Sequence, residues 1–189
     1  MSDFSFKIEK PDTETNIDYN DLAQLWNSAA KKMILVGVHS PNAALEILLD
    51  KVADDPSVLV FTETTSNLYN KRFVNSIDNL IFNLTEEEFT SLKPDILLTF
   101  GGMIVSKKIK KFLRDYSPKE HWHVNELRAF DTYQVLSKHL KIDSHSFFKH
   151  FCELVDYDNK STYESTWTYY KQRIREKHNH YIKTAPYSD

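Results

Sequence analysis

The residues best placed to do chemistry in this chain gather around one pair of glycines. Gly101-Gly102 is followed closely by Ser106-Lys107-Lys108, where an amphipathic helix is expected to open. A helix N-terminus already presents unpaired N–H groups and the positive end of the helix dipole. Two lysines there oppose the dipole and cost about 0.3–1 kcal/mol each unless something negative offsets them. A bound carboxylate or phosphate would supply that charge. Gly101, Gly102, Ser106, Lys107 and Lys108 therefore form the candidate substrate-binding set. The plainer reading is a solvated basic face, balanced by Asp115 or Glu120, and it accounts for Lys110 and Lys111. No residue of the chain is assigned a catalytic role.

His121 and His123 alternate along an expected strand, so both point to one face. A metal would need further ligands. His39, His139, His145, His150, His178 and His180 show no zinc spacing, and Cys152 is the only cysteine. No metal site is assigned, and packing or hydrogen bonding is the expected role of the pair. No GxSxG nucleophile elbow occurs, although a Ser-His-Asp or Cys-His arrangement stays open. Thr64-Thr65-Ser66-Asn67 either faces the glycine crevice or is simple turn chemistry, and the turn is the preferred reading.

Composition removes several classes. The chain has 189 residues but 3 glycines, where average usage would give about 13. That supply is too small for a Gly-Asp-Gly or GxGxxG cofactor loop beside any other glycine-dependent site, and no GxxxxGK[ST] loop occurs. Gly37 reads as an ordinary strand–helix turn. A net charge of −3 does not suit nucleic-acid binding or an anionic membrane surface. No apolar run approaches the ~20 residues that span a bilayer, so no membrane insertion is expected. Residues 1–10 are polar and do not resemble a signal peptide. A lone cysteine fits a reducing, cytoplasmic setting.

The elements that must carry these residues alternate. A helix is expected over 18–32, with Leu22, Leu25, Trp26 and Ala29 inward. A buried strand follows over 33–38, then a helix over 42–53 capped by Ser40 with Pro41 at its first position and Ala44, Leu45, Leu48, Leu49 and Val52 inward. Strands are expected at 57–61, 95–100 and 121–124. Residues 72–84 read as either a helix or a short strand. Thr85 to Glu88 is a capping box opening a short helix. Ile109, Phe112, Leu113 and Tyr116 form one stripe of a helix over 106–116, and 132–140 reads as a further helix. A long helix is expected over 161–182, with Trp167, Tyr170, Ile174 and Tyr181 as its apolar positions, stopped by Ala185-Pro186. Strand and crossover helix in alternation mean a three-layer α/β domain with a mostly parallel sheet. The division is an arm over 1–17, the α/β domain over 18–142 and a helical extension over 143–189.

Several segments in order resemble a known family. They are Met33 to Gly37, Glu63 to Leu68, Lys93 to Gly102 with Ser106-Lys107-Lys108, His121-Trp122-His123, Asp131 to Gln134, and Ala185 to Asp189. From about Trp26 to the last residue, the chain resembles the middle domain of the MenD family. These are the thiamine-diphosphate-dependent 2-succinyl-5-enolpyruvyl-6-hydroxy-3-cyclohexene-1-carboxylate synthases of menaquinone biosynthesis. The resemblance implies a Rossmann-like middle domain set between a pyrimidine-binding and a diphosphate-binding domain. It implies a transferase that decarboxylates 2-oxoglutarate and adds the succinyl unit to isochorismate, using thiamine diphosphate and Mg²⁺. A basic pair on the family's middle domain helps to hold substrate carboxylates, and it falls on Lys107 and Lys108. Where the family can have Arg, Lys108 replaces a bidentate fork with a point charge.

The resemblance also implies that this chain alone holds no cofactor and is inactive. Met1-Ser2 and Ser188-Asp189 read as cut points within a longer chain, and the full-length protein is expected to be a homo-oligomer. Two rival readings stand beside this one. One is a stand-alone α/β protein binding a nucleotide or other small molecule in the Gly101-Gly102 crevice. The other is an interaction module docking through its aromatic tail helix.

Overall fold

The structure, a computed structural model, describes residues 17–184. The expectations for residues 1–16 and for the Ala185-Pro186 helix stop lie outside the described residues. The elements run α1 (Tyr19–Ser28), β1 (Lys32–Val36), α2 (Ala43–Val52), β2 (Val58–Thr62), α3 (Ile77–Phe82), α4 (Glu86–Leu92), β3 (Ile96–Phe100), α5 (Lys107–Asp115), β4 (Glu120–Val124), β5 (Leu136–Leu140), α6 (Ser144–Phe151) and α7 (Tyr163–Thr184). A 3-10 turn at Thr64–Ser66 follows β2.

All five strands are parallel, in the order β2-β1-β3-β4-β5. Each of β1, β2 and β3 is buried at every position, as a sheet covered on both faces requires. Side chains alternate between two cores. Ile34, Val36, Val60, Leu98 and Trp122 pack with α1, α2 and α6. Met33, Leu35, Leu59, Phe61 and Leu97 pack with α3, α4, α5 and the start of α7. The three-layer α/β architecture expected from the alternating elements is the one observed.

Local expectations were corrected at three places. Residues 132–140 do not form a helix. Gln134 sits at φ 62, which interrupts any helix through this stretch. The Asp131 carboxylate accepts the Val135 and Leu136 amides at 2.8 and 3.0 Å, and Leu136–Leu140 then pairs with β4 as the edge strand. Pairing across the sheet outweighs the helix preference of Leu, Gln and Lys. The second correction is the cap of α2. Asn42, not Ser40, accepts the Leu45 amide at 3.0 Å, and Pro41 lies before the helix; Ala44 is exposed. The third is Tyr181, which is 67% exposed. Residues 72–84 resolve into α3.

Helix α6 lies where no separate helix is anticipated. Asp143 caps it through the Ser146 amide at 2.9 Å, and Phe147, Phe148 and Phe151 are each fully buried against the sheet. The first half of α7 is anchored by buried Tyr163 and Trp167, and by Arg173, whose guanidinium forks onto Glu88 at 2.6 and 3.2 Å.

Below the sheet's amino end, Lys32 and Asp55 form an ion pair of 2.7 Å with side chains 0% and 2% exposed. Asp55 also accepts the Ser57 amide and hydroxyl at 2.8 and 2.6 Å. Burial holds the Lys32 ammonium below the usual lysine range, opposed by its hydrogen bond to Asp55. Removing Asp55 would strand a buried charge. Asp55→Ala is expected to cost about 3–5 kcal/mol in urea denaturation; a loss under about 1 kcal/mol, the scale of an exposed pair, would contradict that account.

Candidate functional site

The carboxyl ends of β1 and β3 mark the point where the chain turns to opposite faces of the sheet, the usual place for a ligand crevice. Here that crevice is closed by backbone. The Gly37 amide donates to Phe100 O at 3.0 Å, Gly102 N to Val38 O at 2.7 Å and Val38 N to Met103 O at 3.3 Å. A Cβ at Gly37 would lie 2.1 Å from the Gly102 carbonyl oxygen. Gly37 is therefore more than an ordinary turn residue, because only hydrogen fits there. Gly101 adopts φ 81, which a side chain would strain.

The open crevice lies one strand further along, above β3 and β4. It has a volume of about 490 Å³ and is lined by Thr99, Gly101, Gly102, Lys110, Arg114, His121, His123, Asn125, Arg128 and Tyr133, among others. Thr99 Oγ1 lies 2.8 Å from both His121 Nε2 and His123 Nδ1. A hydroxyl has one hydrogen, so at least one of the two rings donates to it. His121 Nδ1 and the Tyr133 hydroxyl, both buried, have no hydrogen-bond partner. Burial, more than their neighbouring imidazoles, pushes both His121 and His123 down to about 4. The pair does share a face and is hydrogen-bonded. Among the described residues no group of three or more His, Cys, Asp or Glu is placed to hold a metal.

The first turn of α5 forms the neighbouring rim. Ser106 is its N-cap, accepting the Ile109 amide at 3.2 Å and donating its hydroxyl to Asp78 of α3. Glu63 accepts the Val105 and Ser106 amides at 2.8 and 2.6 Å. The negative charge that the two lysines demand is thus supplied by the protein's own Glu63 and Asp78. Lys107 is exposed and, among the described residues, has no hydrogen-bond or ion-pair partner. Lys108 is exposed, with its Nζ 4.0 Å from the Phe82 ring centre.

The candidate residues therefore divide among three neighbouring places. Gly101 and Gly102 line the crevice. Ser106 lines a separate depression of about 290 Å³ with Glu63 and Asp78. Lys107 and Lys108 line neither and are exposed on the first turn of α5. The crevice's own cations are Lys110, Arg114 and Arg128. Lys110 Nζ donates to Ile104 O at 3.1 Å, Arg114 Nε to Thr132 O at 2.8 Å, and Arg128 stacks 5.0 Å from the Phe130 ring centre. Sequence reasoning leaves Lys110 on the solvated face and passes over Glu63, Arg114, Arg128 and Tyr133. The available signal for Lys110 and Arg114 is their four-residue spacing, which puts them on one side of α5. Thr64 to Asn67 is turn chemistry: Glu63 and Ser66 cap one another, and Asn67 sits at φ 51.

Comparison with known proteins follows the same line. The chain is 44% identical over 168 residues to a 2-succinyl-5-enolpyruvyl-6-hydroxy-3-cyclohexene-1-carboxylate synthase of Flavobacterium psychrophilum, covering 87% of this chain and 30% of that protein. A synthase of the same name from Flavobacterium johnsoniae is 41% identical over 179 residues, covering 93% of this chain and 32% of that protein. One from Christiangramia forsetii is 53% identical over 121 residues, covering 61% and 21%. No family model matches the chain.

Two outcomes are expected at this site. Gly37→Ala should cost about 1–3 kcal/mol by forcing β1 and β3 apart, measured by chemical denaturation; an unchanged midpoint would mean the contact yields freely. The histidines set a pH dependence. Between about pH 6.5 and 4 the unfolded chain binds protons on His121 and His123 that the folded chain refuses. Stability is then lost as pH falls through that window. The thermal midpoint of His121→Gln should fall less steeply over it than that of the parent, and equal slopes would remove His121 from the account.

Proposed function

The chain belongs to the family of 2-succinyl-5-enolpyruvyl-6-hydroxy-3-cyclohexene-1-carboxylate synthases, as a segment spanning about 30% of the length of its curated relatives, and from that premise we propose that it is the central domain of such an enzyme, serving as scaffold and substrate-binding rim. The whole enzyme would decarboxylate 2-oxoglutarate and add the succinyl unit to isochorismate. The observation that carries this reading is the exposed lysine pair on the first turn of α5. Just before that turn Glu63 takes the Val105 and Ser106 amides, Asp78 takes the Ser106 hydroxyl, and Ser106 Oγ takes the Ile109 amide. A substrate carboxylate arriving there would meet the ammonium groups that project from this turn. Lys107 has its three N–H donors free for it. Gly101 and Gly102 would form the wall beside it, and Lys110, Arg114 and Arg128 add positive potential in the adjoining crevice.

On this reading thiamine diphosphate and Mg²⁺ are held outside this segment. Among its described residues no group of three or more His, Cys, Asp or Glu is placed to hold a metal ion, and Glu63 is engaged by the Val105 and Ser106 amides ahead of α5. The proposal assigns the cofactor to the flanking pyrimidine- and diphosphate-binding domains of the same enzyme, in a homo-oligomer. Cys152, buried and unpaired, agrees with a cytoplasmic setting. No helix of the described residues is long and apolar enough to cross a membrane. The synthase relatives, of which the chain spans about 30%, do not favour a stand-alone nucleotide binder.

Lys107→Ala in the longer synthase is expected to raise KM for isochorismate by about 10-fold or more, the scale of one charge-assisted hydrogen bond, with thiamine diphosphate affinity unchanged. An unaltered KM would take Lys107 out of the site. The isolated segment, mixed with thiamine diphosphate, Mg²⁺ and 2-oxoglutarate, should release no carbon dioxide; release would overturn the assignment of the chemistry to other domains.

A further inference from the structure

Phe82 is an apolar ring left 72% exposed at the last position of α3. Among the described residues its ring face meets one cation, Lys108, whose Nζ lies 4.0 Å from the ring centre. Asp78 lies four residues earlier, on the same side of that helix. It accepts the Ser106 hydroxyl. Two side chains one turn apart on α3 thus engage two residues of the α5 start, Ser106 and Lys108. The first contact fixes the backbone and the second holds a side chain.

The second contact has a physical purpose that packing does not explain. A lysine has a flexible four-carbon stem whose freedom is lost when its ammonium is tied to a ligand. Lys108 also stands at the positive end of a helix, next to Lys107, with no carboxylate paired to it among the described residues. A ring face is negative without being an anion. It can hold the ammonium in place while leaving its full charge for a ligand, which a carboxylate in the same position would cancel.

We propose that Phe82 is a positioning residue for Lys108, holding its ammonium at the rim for a substrate carboxylate. This rests on the substrate-rim reading above. An exposed cation–π contact should be worth about two- to fivefold in affinity.

The test is steady-state kinetics on the longer synthase with isochorismate varied. Phe82→Leu is expected to raise KM about two- to fivefold without lowering kcat, and Phe82→Tyr to restore it. In a Lys108→Ala background, Phe82→Leu should add nothing. Phe82 is exposed enough that neither change threatens folding, and thermal midpoints check this. If Lys108→Ala raises KM but Phe82→Leu does not, the positioning role is wrong and the rim reading survives. If Phe82→Leu raises KM equally with and without Lys108, the ring acts by packing and the proposal fails. If neither Lys107→Ala nor Lys108→Ala changes KM, the rim reading itself falls, and the positioning role falls with it.

Discussion

Glu63 accepts hydrogen bonds from the Val105 and Ser106 amides, and the character of the rim follows from where that carboxylate sits. It leaves β2, crosses the mouth of the sheet and meets the N-terminus of α5. Asp78 comes from α3 to meet the capping hydroxyl of Ser106. The turn is therefore pinned from two directions. A bare helix N-terminus attracts any small anion. This one has an internal carboxylate in that place, so the unfavourable pairing of lysines with the dipole is offset from within. On the proposed reading, recognition passes to the Lys107 and Lys108 side chains, which stand off the backbone.

A second constraint acts beside the first. The sheet turns its connections at β1 and β3, yet the glycines close that gap instead of opening it. Gly37 brings the two chain ends within backbone hydrogen-bonding distance, and Gly101 turns the chain away afterwards. The three glycines are thus spent on one seam. The usable space moves to β3 and β4, where Thr99 orders two histidines and where His121 Nδ1 and the Tyr133 hydroxyl remain unpaired. The crevice and the lysine rim are neighbours on the same edge of the sheet without being one pocket.

Much of the architecture was legible in the sequence. Continuous apolar runs such as Ile34 to Val36 and Ile96 to Leu98 specify doubly covered strands, and Thr85 with Glu88 marks a helix start that the structure keeps. The edge strand was not legible, because Leu136 to Leu140 owes its shape to β4 and to Gln134's left-handed turn, neither of which local periodicity carries. Helix α6 had its signal in Asp143 and three phenylalanines. At the candidate site, glycine scarcity pointed to the loop that the structure draws into the β1–β3 seam, and the lysine pair to the start of α5. The partner of that helix end was invisible, since Glu63 lies 43 residues before Ser106 in the chain and nothing in its neighbourhood marks it.

The central claim is that the exposed lysines of α5 receive a substrate carboxylate supplied to a larger enzyme. A crystal structure of the longer synthase with isochorismate, or an unreactive dicarboxylate of the same shape, tests it most directly. The account expects a ligand carboxylate oxygen within about 3 Å of Lys107 Nζ, with the Glu63 contacts to Val105 and Ser106 intact. A ligand bound elsewhere while Lys107 stays in solvent, or one that displaces Glu63 and sits on the α5 amides, would contradict it.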